Sequence, residues 1–242
     1  MHLDVLLLPA ELPARPRPER IAVVVDVIRA TTSIVSACQH GARAVLPVAS
    51  PDEALALAAQ RPGAVLAGER RGTHIPGFAI GNSPREFTAA SVGGREVILT
   101  TSNGTRTLRL VDSGRRVAIA AFLNRAAVGR WLAAQVEDAL IVCSGYEGIF
   151  SLEDAVCAGS IVEQASGSGD VDLGDGARAC RVLWEQWRGD LLRLLRDTGW
   201  GRQVIALGLE ADLVVCAGLD VTPVLPILEE GRITAAPEAQ RR

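Results

Sequence analysis

Four short clusters in this sequence have the residue types and spacing to handle an anionic substrate. They are Asp26, Arg29 and Thr31; Glu69 and Arg70; Asn103, Gly104, Thr105 and Arg106; and Glu147, Glu153 and Asp154. Each follows a short apolar run that reads as a strand. In an open α/β sheet, ligands collect where strands end and helices begin, because side chains and free backbone N–H groups are presented there. Carboxylates meeting hard oxygen ligands favour Mg²⁺, which takes one or two protein carboxylates with waters and phosphate oxygens. Arginines and an Asn-Gly-Thr turn at a helix start suit the substrate's negative charge.

Each of these residues also has an ordinary role open to it. Asp26 could cap the next turn, Glu69 could lie in a solvated loop, and Asn103-Gly104 is a common turn pair. Asp154 stands three residues after Ser151, the spacing of a capping box, and Glu153 suits any helix N-terminus. Glu53 and Glu86 are fully explained by the capping boxes that begin at Ser50 and Ser83.

The elements that must position the clusters alternate in type. Val23-Val24-Val25 ends a strand buried on both faces, and Thr31–Gln39 follows as a helix. Further strands are predicted at Leu3–Leu8, Ala44–Val48, Ala64–Ala67, Glu96–Thr100, Val117–Ala120, Ala139–Cys143 and Leu213–Cys216, with helices between most of them. The span from Gly68 to Asn82 has no periodicity, which in a compact chain points to function. Ala177–Asp197 reads as one long amphipathic helix whose Trp184, Trp187, Leu191 and Leu194 form a core or an oligomer interface. Ser166–Gly174 reads as a flexible loop, and Gly231 onward as a flexible tail, so 231–242 is set apart from the fold. The pattern predicts a single α/β unit over 1–242: three-layer α/β/α with a mainly parallel sheet.

Composition removes several function classes. A net charge of −3 and a pI near 5.7 argue against nucleic-acid binding. No apolar run approaches the roughly 20 residues of a membrane span, so a soluble cytoplasmic protein without a membrane partner is expected. All 25 basic residues are arginine, which rules out lysine Schiff-base chemistry and a P-loop lysine. The five cysteines show no C-x-x-C spacing and read as buried thiols. Asp26 is followed by Val27-Ile28, so the D-x-D of phospho-aspartyl hydrolases is absent. Cys143 lacks the arginine-terminated loop of a thiolate phosphatase. His74 is a candidate general acid.

Six ordered motifs carry a family resemblance. Asp26-Val27-Ile28-Arg29-Ala30-Thr31-Thr32, Ala67-Gly68-Glu69-Arg70, Gly77-Phe78 through Gly81-Asn82-Ser83-Pro84 with Glu86-Phe87, Leu99 through Arg106, Phe122-Leu123-Asn124 and Phe150-Ser151-Leu152-Glu153-Asp154 together resemble the 2-phosphosulfolactate phosphatase family. Weaker matches reach Leu207-Gly208-Leu209-Glu210 and Asp212. Departures are slight: Ser102 where the family tends to threonine, Ile28 for leucine, and Arg125 for a small residue. The resemblance implies a three-layer fold with two related halves. It also implies Mg²⁺-dependent hydrolysis of a phosphate monoester in coenzyme M synthesis, giving 3-sulfolactate.

Together these readings give a set of expectations. Asp26, Glu69 and Glu153, with Asp154, organise Mg²⁺ directly or through water. Arg29, Arg70 and Arg106 neutralise the phosphate, carboxylate and sulfonate of a small substrate, while Thr31 and the Asn103-Gly104-Thr105 turn contribute to binding. Asp26, Arg29 and Glu69 carry catalysis, by a metal-activated water or by an aspartate nucleophile. The sequence leaves both routes open, as it does two other functions: a phosphatase for another phosphorylated hydroxy acid, and a non-catalytic anion binder.

Overall fold

The structure is a computed structural model that describes residues 1–14, 21–112, 115–167 and 171–237. Its strands are β1 (His2–Leu6), β2 (Ile21–Val25), β3 (Ala44–Pro47), β4 (Val65–Arg70), β5 (Thr73–His74), β6 (Glu96–Thr100), β7 (Arg116–Ala120), β8 (Ala139–Cys143), β9 (Asp172–Leu173), β10 (Pro226–Glu229) and β11 (Arg232–Ala235). They form one sheet in the order β5-β4-β6-β3-β11-β10-β7-β2-β8-β1-β9. Helices pack on both faces, giving the three-layer α/β/α arrangement expected. Among the described residues no helix is long and apolar enough to cross a membrane.

β2 lies at the centre of one parallel block, between β7 and β8. All five of its residues are buried. Because strand side chains alternate in direction, Ile21, Val23 and Val25 enter the core under helices Arg125–Ala133 and Leu152–Ser166. Ala22 and Val24 enter the opposite core with Ile34 and Val35 of helix Ala30–Gln39 and Leu108 of helix Gly104–Val111. β4, β6 and β3 form a second parallel block.

The two blocks are joined by the β10–β11 hairpin, and every pairing through it, β7 to β10, β10 to β11 and β11 to β3, is antiparallel. Three reversals make the blocks run in opposite directions. The expectation that the clusters share one rim as parallel neighbours therefore fails, and a different geometry brings them together. Val24 of β2, Val45 of β3 and Leu99 of β6 share one core with the two inner helices, so the sheet curls around Ala30–Gln39 and Gly104–Val111.

Four further expectations are corrected. Gly231 onward does not begin a loose tail: Arg232–Ala235 is an interior strand, while 238–242 lies outside the described residues. The turn Glu230-Gly231, with φ of 50° and 74°, is the two-residue type that reverses a hairpin. Leu213–Cys216 is helical, as part of Glu210–Cys216, because Leu213 and Cys216 point inward at helical spacing while Val214 faces solvent. Ala177–Asp197 breaks at Gly189, and Asp190 caps the second helix, Leu191–Asp197, by accepting from the Arg193 N–H. Of the loop read at Ser166–Gly174, 168–170 lies outside the described residues, and Asp172–Leu173 pairs with β1.

At the start of β6, Glu96 accepts hydrogen bonds from Arg61 at 3.0 Å and Arg232 at 2.9 Å. Burial alone would raise its carboxyl, but these two arginines outweigh it and hold it below the ordinary carboxylate value. A folded-state value below the unfolded one means stability that is present above the unfolded value and lost as pH falls through the folded one. Glu96→Gln is expected to cost about 2 kcal/mol at pH 7. Denaturant titrations should show that gap closing as the pH is lowered below the ordinary glutamate value.

Candidate active site

Asp26 leaves β2 into a turn that its own neighbours lock. The Thr31 hydroxyl accepts from the Asp26 N–H at 3.0 Å and donates to the Asp26 carbonyl at 2.9 Å. The Ala30 N–H donates to Asp26 Oδ1 at 3.2 Å. Thr31 is fully buried and spent on this turn, so it positions Asp26 instead of binding substrate. Asp154 performs a similar service from helix Leu152–Ser166. Its Oδ1 accepts from the Val27 N–H at 2.8 Å and its Oδ2 from the Gly145 N–H at 3.1 Å, tying the loop after β2 to the loop after β8. The capping-box reading of Asp154 is thereby replaced, and Ser151 makes no side-chain cap.

Glu69, near the end of β4, is held as firmly. Its Oε1 accepts from the Ser102 N–H at 2.7 Å, and its Oε2 from the Gly72 N–H at 2.6 Å and the Ser102 hydroxyl at 3.2 Å. The span after Gly68 is not structureless: β4 turns back into β5 through Arg71-Gly72, and Glu69 fastens this hairpin to the loop after β6. Thr101 and Thr105 close that loop with reciprocal hydroxyl-to-backbone bonds, so Thr105 is also committed to structure.

Electrostatics shows how closely the acids gather. Burial pushes the Asp26 carboxyl up to about 7, with Glu69 and Glu153 adding to the rise while the Ala30 N–H and Arg29 oppose it. Burial, then Asp26 and Glu153, raise Asp154 well above the usual carboxylate range. Burial likewise raises Glu153, against hydrogen bonds from Ser151 and Thr198. Asp26, Glu69, Glu153 and Asp154 thus come together around the end of β2. They do not form a bare carboxylate cage: among the described residues no three His, Cys, Asp or Glu side chains are placed to hold a metal ion by themselves.

Two of the three expected anion-binding arginines are engaged within the protein. Arg29 donates from Nη1 to Asp212 Oδ2 at 2.7 Å and from Nη2 to the Gly72 carbonyl at 3.0 Å. Arg70 donates to the Glu69 and Ala49 carbonyls and to the Thr100 hydroxyl. Arg106, on the exposed side of helix Gly104–Val111, makes no such bond among the described residues.

Two cavities meet here. The inner one, of about 20 Å³, has room for one water or one cation. Asp26, Arg29, Glu69, Asn82 and Trp200 line it, together with Thr101, Ser102 and Asn103. Those last three residues also line a wide outer cleft with Arg70, Arg71, Arg106 and Ser144. Trp200 roofs the inner cavity, donating to the Ile28 carbonyl at 2.8 Å and stacking on Tyr146 with ring centres 4.3 Å apart. Among the described residues, Asn82 Oδ1 and Ser144 Oγ are buried without hydrogen-bond partners. His74 is exposed on β5 and lines neither cavity.

Sequence reasoning passed over Asn82, Arg71, Trp200 and Asp212 as site residues. Asn82 lay inside a noted motif, and Asp212 was a weak match. The other two had no signal beyond their residue type. The five cysteines are buried free thiols, and burial raises those of Cys143 and Cys157 well above normal, which makes thiolate chemistry at them unfavourable.

Gly104 packs closely against Asp26. A β-carbon there would stand 2.5 Å from the Ala30 β-carbon and 2.7 Å from Asp26 Oδ2. Gly104→Ala is expected to lower kcat about 100-fold, because a shift of an ångström at a reacting group has that effect. The helix itself should tolerate alanine, so circular dichroism should stay native while steady-state assays show the loss.

Buried acids, arginines and a helix start gather at the end of β2, an arrangement suited to a small anionic ester, and the family that the chain matches is one of phosphoric monoester hydrolases. The model of the 2-phosphosulpholactate phosphatase family matches residues 6–231. A probable 2-phosphosulfolactate phosphatase of Symbiobacterium thermophilum is 43% identical over 224 residues, 91% of this chain and 96% of that protein. One from Synechococcus is 40% identical over 244 residues, covering 98% and 100%. One from Thermotoga maritima is 38% identical over 219 residues, covering 90% and 93%. The chain belongs to the 2-phosphosulfolactate phosphatase family.

Proposed function

We propose that the chain hydrolyses the phosphate monoester of 2-phospho-3-sulfolactate to 3-sulfolactate and phosphate, with Mg²⁺ as cofactor. The observation that carries this reading is the shared Thr101–Asn103 wall. It joins a one-cation cavity at Asp26 to an arginine-lined cleft, in a family whose relatives are named for this substrate.

The donor set fits Mg²⁺. Asn82 Oδ1 is an orphaned buried oxygen lining the same cavity as Asp26. One carboxylate, one amide oxygen and waters are a normal set for this ion, and only oxygen donors are present. Asp26 and Asn82 would hold it, with Glu69 and Glu153 supplying negative charge from outside the coordination sphere. When bound, Mg²⁺ stabilises charge on the phosphoryl oxygens and lowers the pKa of bound water.

The chain's own groups do the rest. Thr31 fixes the Asp26 backbone and the Ala30 N–H its carboxylate, and Asp212 and the Gly72 carbonyl fix Arg29 so that its remaining N–H groups meet a phosphoryl oxygen without reorganisation. Gly104, first in its helix, adds a backbone N–H without an intrahelical partner. Trp200 and Tyr146 limit access of bulk water. Asp26 acts on phosphorus either as nucleophile or by orienting the attacking water, and rapid-quench trapping of a phosphoenzyme decides between the two. The placement in coenzyme M synthesis follows from the family resemblance.

Phosphate release from a panel of monoesters, with Mg²⁺ and with a chelator, tests the proposal. Release from the sulfonated ester that stops on chelation and returns with Mg²⁺ is the expected result. Absence of release from that ester under all conditions overturns it.

A further inference from the structure

Arg71 stands out among the residues that line the outer cleft. Of the four arginines there, Arg70 and Arg115 donate to groups of the protein. Among the described residues, no hydrogen bond or ion pair is made by the guanidinium of Arg71 or of Arg106.

The backbone at Arg71 is also unusual. The pairing of Glu69 with His74 and Arg70 with Thr73 leaves Arg71-Gly72 as a two-residue turn, with φ of 51° and 80°. Positive φ at both positions defines a turn whose first residue is normally asparagine, aspartate or glycine, so arginine is a poor choice for making the turn. The turn is nonetheless fixed from three sides. The Arg71 N–H donates to the Ser102 hydroxyl at 3.1 Å, the Gly72 N–H to Glu69 at 2.6 Å, and Arg29 to the Gly72 carbonyl at 3.0 Å. Gly72 has no room to become anything larger, since an added β-carbon would lie 2.6 Å from Leu207 and 3.2 Å from the Trp200 ring. A long cationic side chain is therefore carried into the cleft from a backbone pinned to the very groups that surround Asp26.

We infer that Arg71 is a specificity-determining residue that receives the sulfonate of the substrate. The inference rests on the function proposed above and extends it. With the cation in the inner cavity and the phosphate at its mouth along the Thr101–Asn103 wall, the rest of a three-carbon ester extends into the outer cleft, where Arg71 lies and where Arg29 does not. A guanidinium with no protein partner loses no internal bond on meeting an anion, and its planar fork matches two sulfonate oxygens.

The test compares 2-phosphosulfolactate with 2-phospholactate, which lacks the sulfonate, in wild type, Arg71→Asn and Arg71→Lys. Asparagine suits the turn, so Arg71→Asn should melt no lower than wild type, which separates folding from recognition. The expected result is a loss of about 30-fold in kcat/KM for the sulfonated ester, carried mainly by KM, with the value for phospholactate within about threefold of wild type. Lysine should restore part of the preference. Equal losses on both esters, or an unchanged preference, overturn the assignment while leaving the phosphatase reading intact. Wild-type protein that hydrolyses neither ester overturns both.

Discussion

Asp26→Asn should reduce kcat by about 10³-fold or more and, in metal-free protein, leave the fold more stable than wild type. The size of the activity loss follows from the position of the group. The Asp26 carboxylate faces the inner cavity, its backbone is clamped by Thr31, and its Oδ2 sits against Gly104. As the residue proposed to face both phosphorus and cation, it has no understudy, because the oxygens of Glu69 and Asp154 are taken up by N–H and hydroxyl donors. The sign of the stability change follows from electrostatics. Burial disfavours the ionised form of Asp26, and Glu69 and Glu153 add like charge around it. A neutral amide of the same shape escapes both penalties, and a gain of about 1–3 kcal/mol is expected. Chemical denaturation of chelated protein, run beside phosphate-release assays, checks both halves. A variant that is destabilised and inactive would mean that Asp26 holds the turn together and that its negative charge is not its contribution.

Much of this arrangement is legible in the amino-acid sequence. β8 runs over Ala139–Cys143 as its apolar run predicts, and the helix opened by Ser50-Pro51 begins with the Ser50 hydroxyl accepting the Glu53 N–H. Ser83 and Glu86 form the capping box that their spacing predicts. These features are local, and local sequence determines them. What was misread depends on partners far along the chain. Arg232–Ala235 is too short and too polar to declare itself a strand, yet it sits between β3 and β10 and reverses the direction of half the sheet. Leu213–Cys216 is a short apolar run that fits a strand or a helix turn equally well. Arginine types announce charge but not its destination. Arg29 and Arg70 are matched inside the protein by Asp212, Gly72, Glu69, Ala49 and Thr100, whereas Arg71, one residue past the Ala67–Arg70 motif, has an unmatched guanidinium among the described residues. Convergence of the acids was anticipated on the wrong premise, since a curled sheet of two opposed blocks brings Gly104 to Asp26.

Asp212→Ala should be the most destabilising single change near the site, at about 3–5 kcal/mol. Asp212 lies on helix Glu210–Cys216, far from β2 in sequence, and its ion pair with Arg29 joins two side chains that are 1% and 2% exposed. Its second oxygen accepts from the Ser83 hydroxyl at 2.6 Å, so one carboxylate links the β2 turn, the segment after β5 and the C-terminal helices. Removing one partner of a buried pair leaves the other charge desolvated and unmatched, which costs far more than an exposed pair is worth. In Asp212→Ala the Arg29 guanidinium would keep only the Gly72 carbonyl, and the roof carried by Trp200 would lose a fastening to the site. Activity should therefore fall along with stability. Asp212→Asn separates the effects: it retains an acceptor for Ser83 or Arg29 but no charge, and should recover part of the stability while activity stays low. The double replacement Arg29→Met with Asp212→Leu removes both charges, and should be closer to wild type in stability than Asp212→Ala although inactive. Equilibrium unfolding of the three variants measures the order. If Asp212→Ala unfolds within about 1 kcal/mol of wild type, the pair is solvated in the working protein and Arg29 is free to move.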